Sequence, residues 1–180
     1  MPAREPHPLE PDRPAGLQKK ALLQIAGGHD QHPFGQRLNE GMIQKIIRRR
    51  IDVRHSDLLI AESVETYRVL ETAGPPTFYI PPRDVQVILL KPFPGTSFCE
   101  WKGAAKYWAL ESAQEAIAWN YPEAQTPYRA ISGYLSFYPG RVECFIDGEQ
   151  VRPQPGYFYG GWITDEIVGP WKGYPGTESW

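Results

Sequence analysis

The chain has 180 residues and a mass of 20.5 kDa, and its 19 Pro and 17 Gly make up a fifth of it, which disfavours long uninterrupted helices. A 41% apolar and 13% aromatic content is enough for one sizeable core and excludes a chain disordered throughout. The formal charge of −2 lacks the basic excess of a nucleic-acid binder, and no run approaches the roughly 20 apolar residues of a membrane-spanning helix.

Charge is unevenly spread, with ten Lys/Arg against six Asp/Glu in residues 1–55 and nine against fifteen in 56–180. The dense basic run Arg48-Arg49-Arg50 reads as a solvated helix end or strand start, with a phosphate contact as the lesser reading. Cys99 and Cys144 form neither a disulfide framework nor a Cys-x-x-Cys zinc pair. His55 is the only histidine beyond the N-terminal region, so a His metal site or a Ser-His-Asp triad is poorly supplied. No apolar signal core opens the chain, and a reduced, cytoplasmic setting is the simplest expectation, with no metal and no cofactor.

Residues 1–38 hold six Pro and four Gly and read as a flexible arm. Asn39 is expected to cap a short helix with Met42, Ile43, Ile46 and Ile47 on one stripe. From Ile51 the texture is that of strands: Ile51–Val53, Leu58–Glu62, Tyr67–Glu71, Thr77–Ile80, Val87–Leu90, Ser97–Trp101, Lys106–Leu110, Ala116–Tyr121, Gly133–Tyr138 and Val142–Ile146. Their spacing of about ten residues suggests an antiparallel sandwich or barrel. Pro81-Pro82-Arg83-Asp84 predicts a turn or single helical turn, and Pro127 to Ile131 a short helix. Asp147-Gly148 is the clearest hairpin signal. Residues 153–180 combine four Pro and six Gly with three Trp and three Tyr, a composition expected to wrap and pack on the body.

The run from Phe98 to Trp108 concentrates a thiol, two amines, a carboxylate and four rings. As a strand, Ser97–Trp101 places Ser97, Cys99 and Trp101 on one face and Lys102 on the other. Cys99 and Lys102 share a site only if Gly103 marks a bulge or turn that rotates Lys102 back. Cys99 is then a candidate nucleophile activated by Lys102 or Arg68, against the alternative of a small buried hydrophobe. Lys102 is an anion ligand, a buried base or a surface lysine. Cys144, alternating with Val142 and Ile146, reads as core. Glu71 ends an apolar strand, where a half-buried acid has reason to be paired, and Asp84 reads as a turn cap. Tyr79, Tyr107, Trp119, Tyr121, Tyr134 and Tyr138 either line a cavity for a flat or cyclic ligand or fill the interior with rings.

Several of these segments recur in order: Tyr67-Arg68-Val69-Leu70-Glu71, Tyr79-Ile80-Pro81-Pro82-Arg83-Asp84-Val85, Cys99-Glu100-Trp101-Lys102-Gly103, Ala118-Trp119-Asn120-Tyr121-Pro122 and Gly133 to Tyr138. In them the chain resembles the domain-of-unknown-function family 427 over roughly residues 50–152, and its tail resembles a longer bacterial and fungal subgroup. The resemblance implies a mainly β fold with minor α, a compact antiparallel β-barrel akin to β-tent folds, and makes Cys99, Trp101, Lys102 and Trp119 prominent. The nucleotidyltransferase name attached to the family finds no Gly-Ser and paired Asp elements here. Zinc-binding β-tent relatives use cysteine pairs that this chain lacks.

The expected organisation is an arm over 1–38, a β domain over 39–152 and an aromatic extension over 153–180. The leading expectation is a small anionic or aromatic ligand held near Cys99–Gly103 by Glu71, Tyr79, Trp101, Lys102, Gly103, Tyr107, Trp119, Tyr121 and Tyr134. An enzyme using Cys99 or Lys102, and an interaction module built on the two ends, are the alternatives. Nucleic acid and membrane are excluded as partners, and a homo-oligomer is left open.

Overall fold

The computed structural model describes residues 42–71, 73–111, 113–156 and 158–177. The arm over 1–38 and the expected cap at Asn39 lie outside them. Residues 42–47, expected in a helix, instead begin strand β1, Met42–His55. Ile43 packs on one apolar cluster and Ile46 on another, so an i, i+3 spacing that looked helical reflects a strand covered on both faces. The β-branched isoleucines also suit a strand better than a helix.

β2, Leu58–Leu70, merges two expected strands and runs antiparallel to β1 from Met42↔Leu70 to His55↔Leu58. A register shift between Ile47 and Ile51 leaves Arg48 in a left-handed conformation, φ 72°. Asp147 holds this irregularity, accepting from the Arg49 Nε at 2.7 Å and the Arg50 backbone N–H at 2.8 Å. Arg49 also reaches Glu166 at 2.7 Å, and Arg50 pairs with Asp52 and Glu62. Carboxylates of the chain itself thus pair with both arginines.

β3, Thr77–Tyr79, pairs with β2, and a 3-10 turn over Pro82–Asp84 follows, with Pro at its start. Asp84 does not cap that turn; its carboxylate accepts from the Ser63 hydroxyl at 2.6 Å. Val87–Leu89, expected in a strand, forms a second 3-10 turn: Ile88 is 90% exposed, Leu89 packs on an apolar cluster, and among the described residues no strand pairs with the run. β4, Leu90–Cys99, and β5, Gly103–Leu110, make a hairpin; β6, Ala118–Asn120, and β7, Leu135–Phe137, extend it. A 3-10 turn over Tyr128–Ile131 lies between them. β8, Glu143–Ile146, joins β1, and β9, Glu149–Gln150, follows Asp147 and Gly148, whose φ values of 52° and 87° suit a tight hairpin. β10, Arg152–Pro153, and β11, Trp162–Ile163, form a small ribbon.

The strand orders are β3-β2-β1-β8-β9 and β4-β5-β6-β7, and a single bridge, Ile80↔Leu135, joins the two sheets through bonds of 2.7 and 2.9 Å. The fold is mainly β, but the expected barrel is corrected: among the described residues the edge strands β4 and β9 do not pair, so the sheets stay open. Pro92 and Pro94 on β4 lack the N–H that a closing ladder needs.

Alternation along β3 and β6 separates two cores. Phe78, Ile80 and Ala118 face the larger one, with Ile51, Phe137 and Cys144; Tyr79 and Trp119 face the smaller. Trp162 is fully buried in the larger core, its indole N–H donating to the Phe137 carbonyl at 3.0 Å and its ring 5.2 Å from Phe78. Among the described residues no helix is long and apolar enough to cross a membrane.

Candidate functional site

The β4–β5 hairpin pairs Cys99 with Gly103 and turns through Glu100, Trp101 and Lys102. Gly103 has φ 96°, a conformation costly for other residues, and the Gln125 side chain and Glu123 carbonyl lie 3.4 and 3.5 Å from where a Cβ would stand. This reversal satisfies the condition the sequence set for bringing Lys102 back toward the Cys99 side. The Gln125 N–H, donating to the Lys102 carbonyl at 3.2 Å, ties the turn to the following loop.

Lys102 is 6% exposed. Its Nζ donates to Glu71 Oε1 at the end of β2 and lies over the rings of Tyr121 and Tyr128, 5.8 and 5.5 Å from their centroids. Burial alone would lower its pKa, but the Glu71 charge, then the Tyr121 hydroxyl and the Cys99 thiol, push it above the ordinary 10.5. Lys102 therefore carries its charge at neutral pH. Glu71, its counter-ion, keeps half of its side chain in water.

Beneath the ion pair lies the smaller core. Tyr79 is 1% exposed, with its ring 6.3 Å from Trp119 and 6.4 Å from Tyr121. Burial raises the phenol pKa values of both Tyr79 and Tyr121 above the ordinary range. The Trp119 ring lies tilted against Tyr138, with centroids 4.5 Å apart, and Arg141 covers the Tyr138 ring at 4.2 Å. Tyr107, opposite Trp119 in the ladder, shares a 2.7 Å hydrogen bond with Ser97 and is half-buried. Tyr134 meets Tyr67 edge-on at 5.4 Å. Trp101 stands apart at the hairpin tip, 45% exposed beside Phe98 at 70%.

The structure thus brings Glu71, Lys102, Tyr79 and Tyr121 into one group, with half-buried Cys99 packed against the same cluster. It turns Trp101 outward and seats Tyr79, Trp119 and Tyr121 as packed rings. Two open grooves, of about 350 and 470 Å3, lie elsewhere, beside Tyr159 and Lys172 and between Glu62 and Arg83. Sequence reasoning missed Tyr128, the second ring under Lys102; its place after Pro127 in an expected short helix was the available signal.

A family model described as a domain of unknown function (DUF427) matches residues 44–148, more than half of the chain. The chain belongs to this family. The matched span holds Glu71, Cys99, Lys102 and every ring around them, so the DUF427 domain carries the whole candidate site. No curated protein matches the chain.

Proposed function

We propose that the chain binds a small anionic molecule with an aromatic portion at the Lys102 turn. The observation that carries this reading is a buried ammonium whose counter-ion, Glu71, is half exposed. A ligand carboxylate or phosphate can displace Glu71, which rehydrates at little cost, whereas Lys102 is held in place by the two rings beside it. Half-buried Tyr107 and Tyr134 and exposed Trp101 offer ring surface around the entrance.

Titration with benzoate, followed by NMR of the full chain, tests this. Saturable shifts at Lys102 and Tyr121, absent in Lys102→Met, are expected; unshifted Lys102 signals up to the solubility of benzoate would sink the reading. A second reading, catalysis through Cys99, is favoured by the half-burial of that thiol within electrostatic reach of Lys102. It requires that alkylation of Cys99 be accelerated by Lys102, so an unchanged rate in Lys102→Met removes it.

A further inference from the structure

The Lys102 group uses one face of β2, and the opposite face presents a second cation. Arg68 sits directly across the ladder from Gln44, and its Nε, at 3.2 Å, and Nη2 both donate to Gln44 Oε1. A guanidinium carries five N–H donors, which leaves three of Arg68's without a partner among the described residues, and no described carboxylate pairs with it. The one acid that acts on Arg68 electrostatically, Glu166, already holds Arg49 at 2.7 Å. Burial first, then the like charge of Arg49, lowers the Arg68 pKa, with Glu166 acting in the opposite sense.

Strand alternation places Thr66 on the same face as Arg68, and Thr66 is 1% exposed with a hydroxyl that has no partner. A buried orphan hydroxyl is uncommon and points to a missing acceptor or donor. On the other side Arg68 pairs in register with Phe78, whose ring lies against Trp162, so the site has an apolar wall.

We propose that Arg68, with the Thr66 hydroxyl and the nearby Arg49, forms a second site that binds a free small-molecule oxyanion through the guanidinium fork. A planar fork with unused parallel N–H groups matches a carboxylate or a phosphate, and a like-charged neighbour is tolerated when an anion lies between. The site is independent of Lys102, being on the reverse face of β2.

The test uses full-length protein labelled with 15N-arginine, titrated at constant ionic strength with inorganic phosphate in one arm and acetate in the other, chloride being the balancing ion. A saturable shift of the Arg68 Nε–H signal is expected in at least one arm, and the arm that responds identifies the oxyanion. Arg68→Lys, which keeps the charge and removes the fork, should weaken binding about tenfold, and Arg68→Gln by at least that much. Arg83→Gln on the surface should bind as wild type, and Lys102→Met should leave the Arg68 shift intact, separating this site from the one proposed above. No saturable shift in either arm, or wild-type affinity in Arg68→Lys, overturns the proposal.

Discussion

Removing Glu71 and removing Lys102 break the same ion pair, yet the two changes should differ in cost by about 1–2 kcal/mol because the partners differ in burial. The Lys102 side chain is 8% exposed and that of Glu71 50%. Lys102→Met leaves a carboxylate that is already half in water, and the methionine fills the stem's volume beside Tyr121 and Tyr128, so the expected loss is about 1 kcal/mol. Glu71→Ala leaves the ammonium buried. Stranding one member of a buried pair costs about 3–5 kcal/mol, and discounting for water entering where Glu71 stood gives about 2–3 kcal/mol. For a chain of this size that is a fall in Tm of about 4–12 °C, and urea unfolding at neutral pH measures it directly. The pH dependence differs in sign. In the wild type Lys102 titrates above 10.5, so its contribution is complete below that pH and is lost as pH rises through the raised value. In Glu71→Ala burial acts without the carboxylate and places Lys102 below 10.5, so this variant should regain stability as pH rises toward 10.5. Equal costs, a costlier Lys102→Met, or a Glu71→Ala profile that stays flat would refute the assignment of Lys102 as the buried partner.

Three further outcomes follow from the packing. Burial, with a smaller push from Tyr107, raises the Tyr138 phenol from 10.0 to about 12, so the unfolded chain ionises first and stability falls as pH rises above 10. Tyr138→Phe should therefore show a shallower alkaline slope in urea midpoints, and an unchanged slope would remove Tyr138 from the account. A Cβ at Gly160 would overlap the Trp119 ring, so Gly160→Ala should cost about 1–3 kcal/mol, partly rescued by Trp119→Phe; strictly additive losses in the double variant would show that the two residues do not touch. Cys144 is fully buried with its thiol pKa pushed well above 9.0, so iodoacetamide should label Cys99 in native protein and Cys144 only on unfolding. Peptide mass spectrometry resolves the two, and equal labelling rates would contradict the burial of Cys144.

Turn chemistry was the most legible part of the chain. Pro82–Asp84, Tyr128–Ile131 and the Asp147-Gly148 reversal follow from local conformational preferences, and each stands where proline or positive φ demanded it. Apolar patterning was less reliable where coverage is a tertiary matter. Ile43 and Ile46 mimic a helical stripe because different cores cover opposite faces of β1, and Val87–Leu89 resembles a strand although no strand among the described residues pairs with it. Closure of a barrel was equally beyond the pattern, since strand spacing is the same whether or not β4 and β9 meet.

By itself the sequence determined a strand-rich body, the hairpin at Asp147-Gly148, a core role for Cys144 and the concentration of reactive groups around Cys99–Gly103. It also showed Glu71 as an acid in need of a partner. Only the tertiary structure decided that the partner is Lys102, because the ends of β2 and β4 meet through strands distant in the chain and because the turn at Gly103 rotates the amine inward. The same packing set Arg68 on the reverse face of β2 beside Gln44, where no described carboxylate forms an ion pair with it. Residue type and spacing specify which groups can carry charge; the dielectric around each and the partner it meets arise only when the sheets assemble.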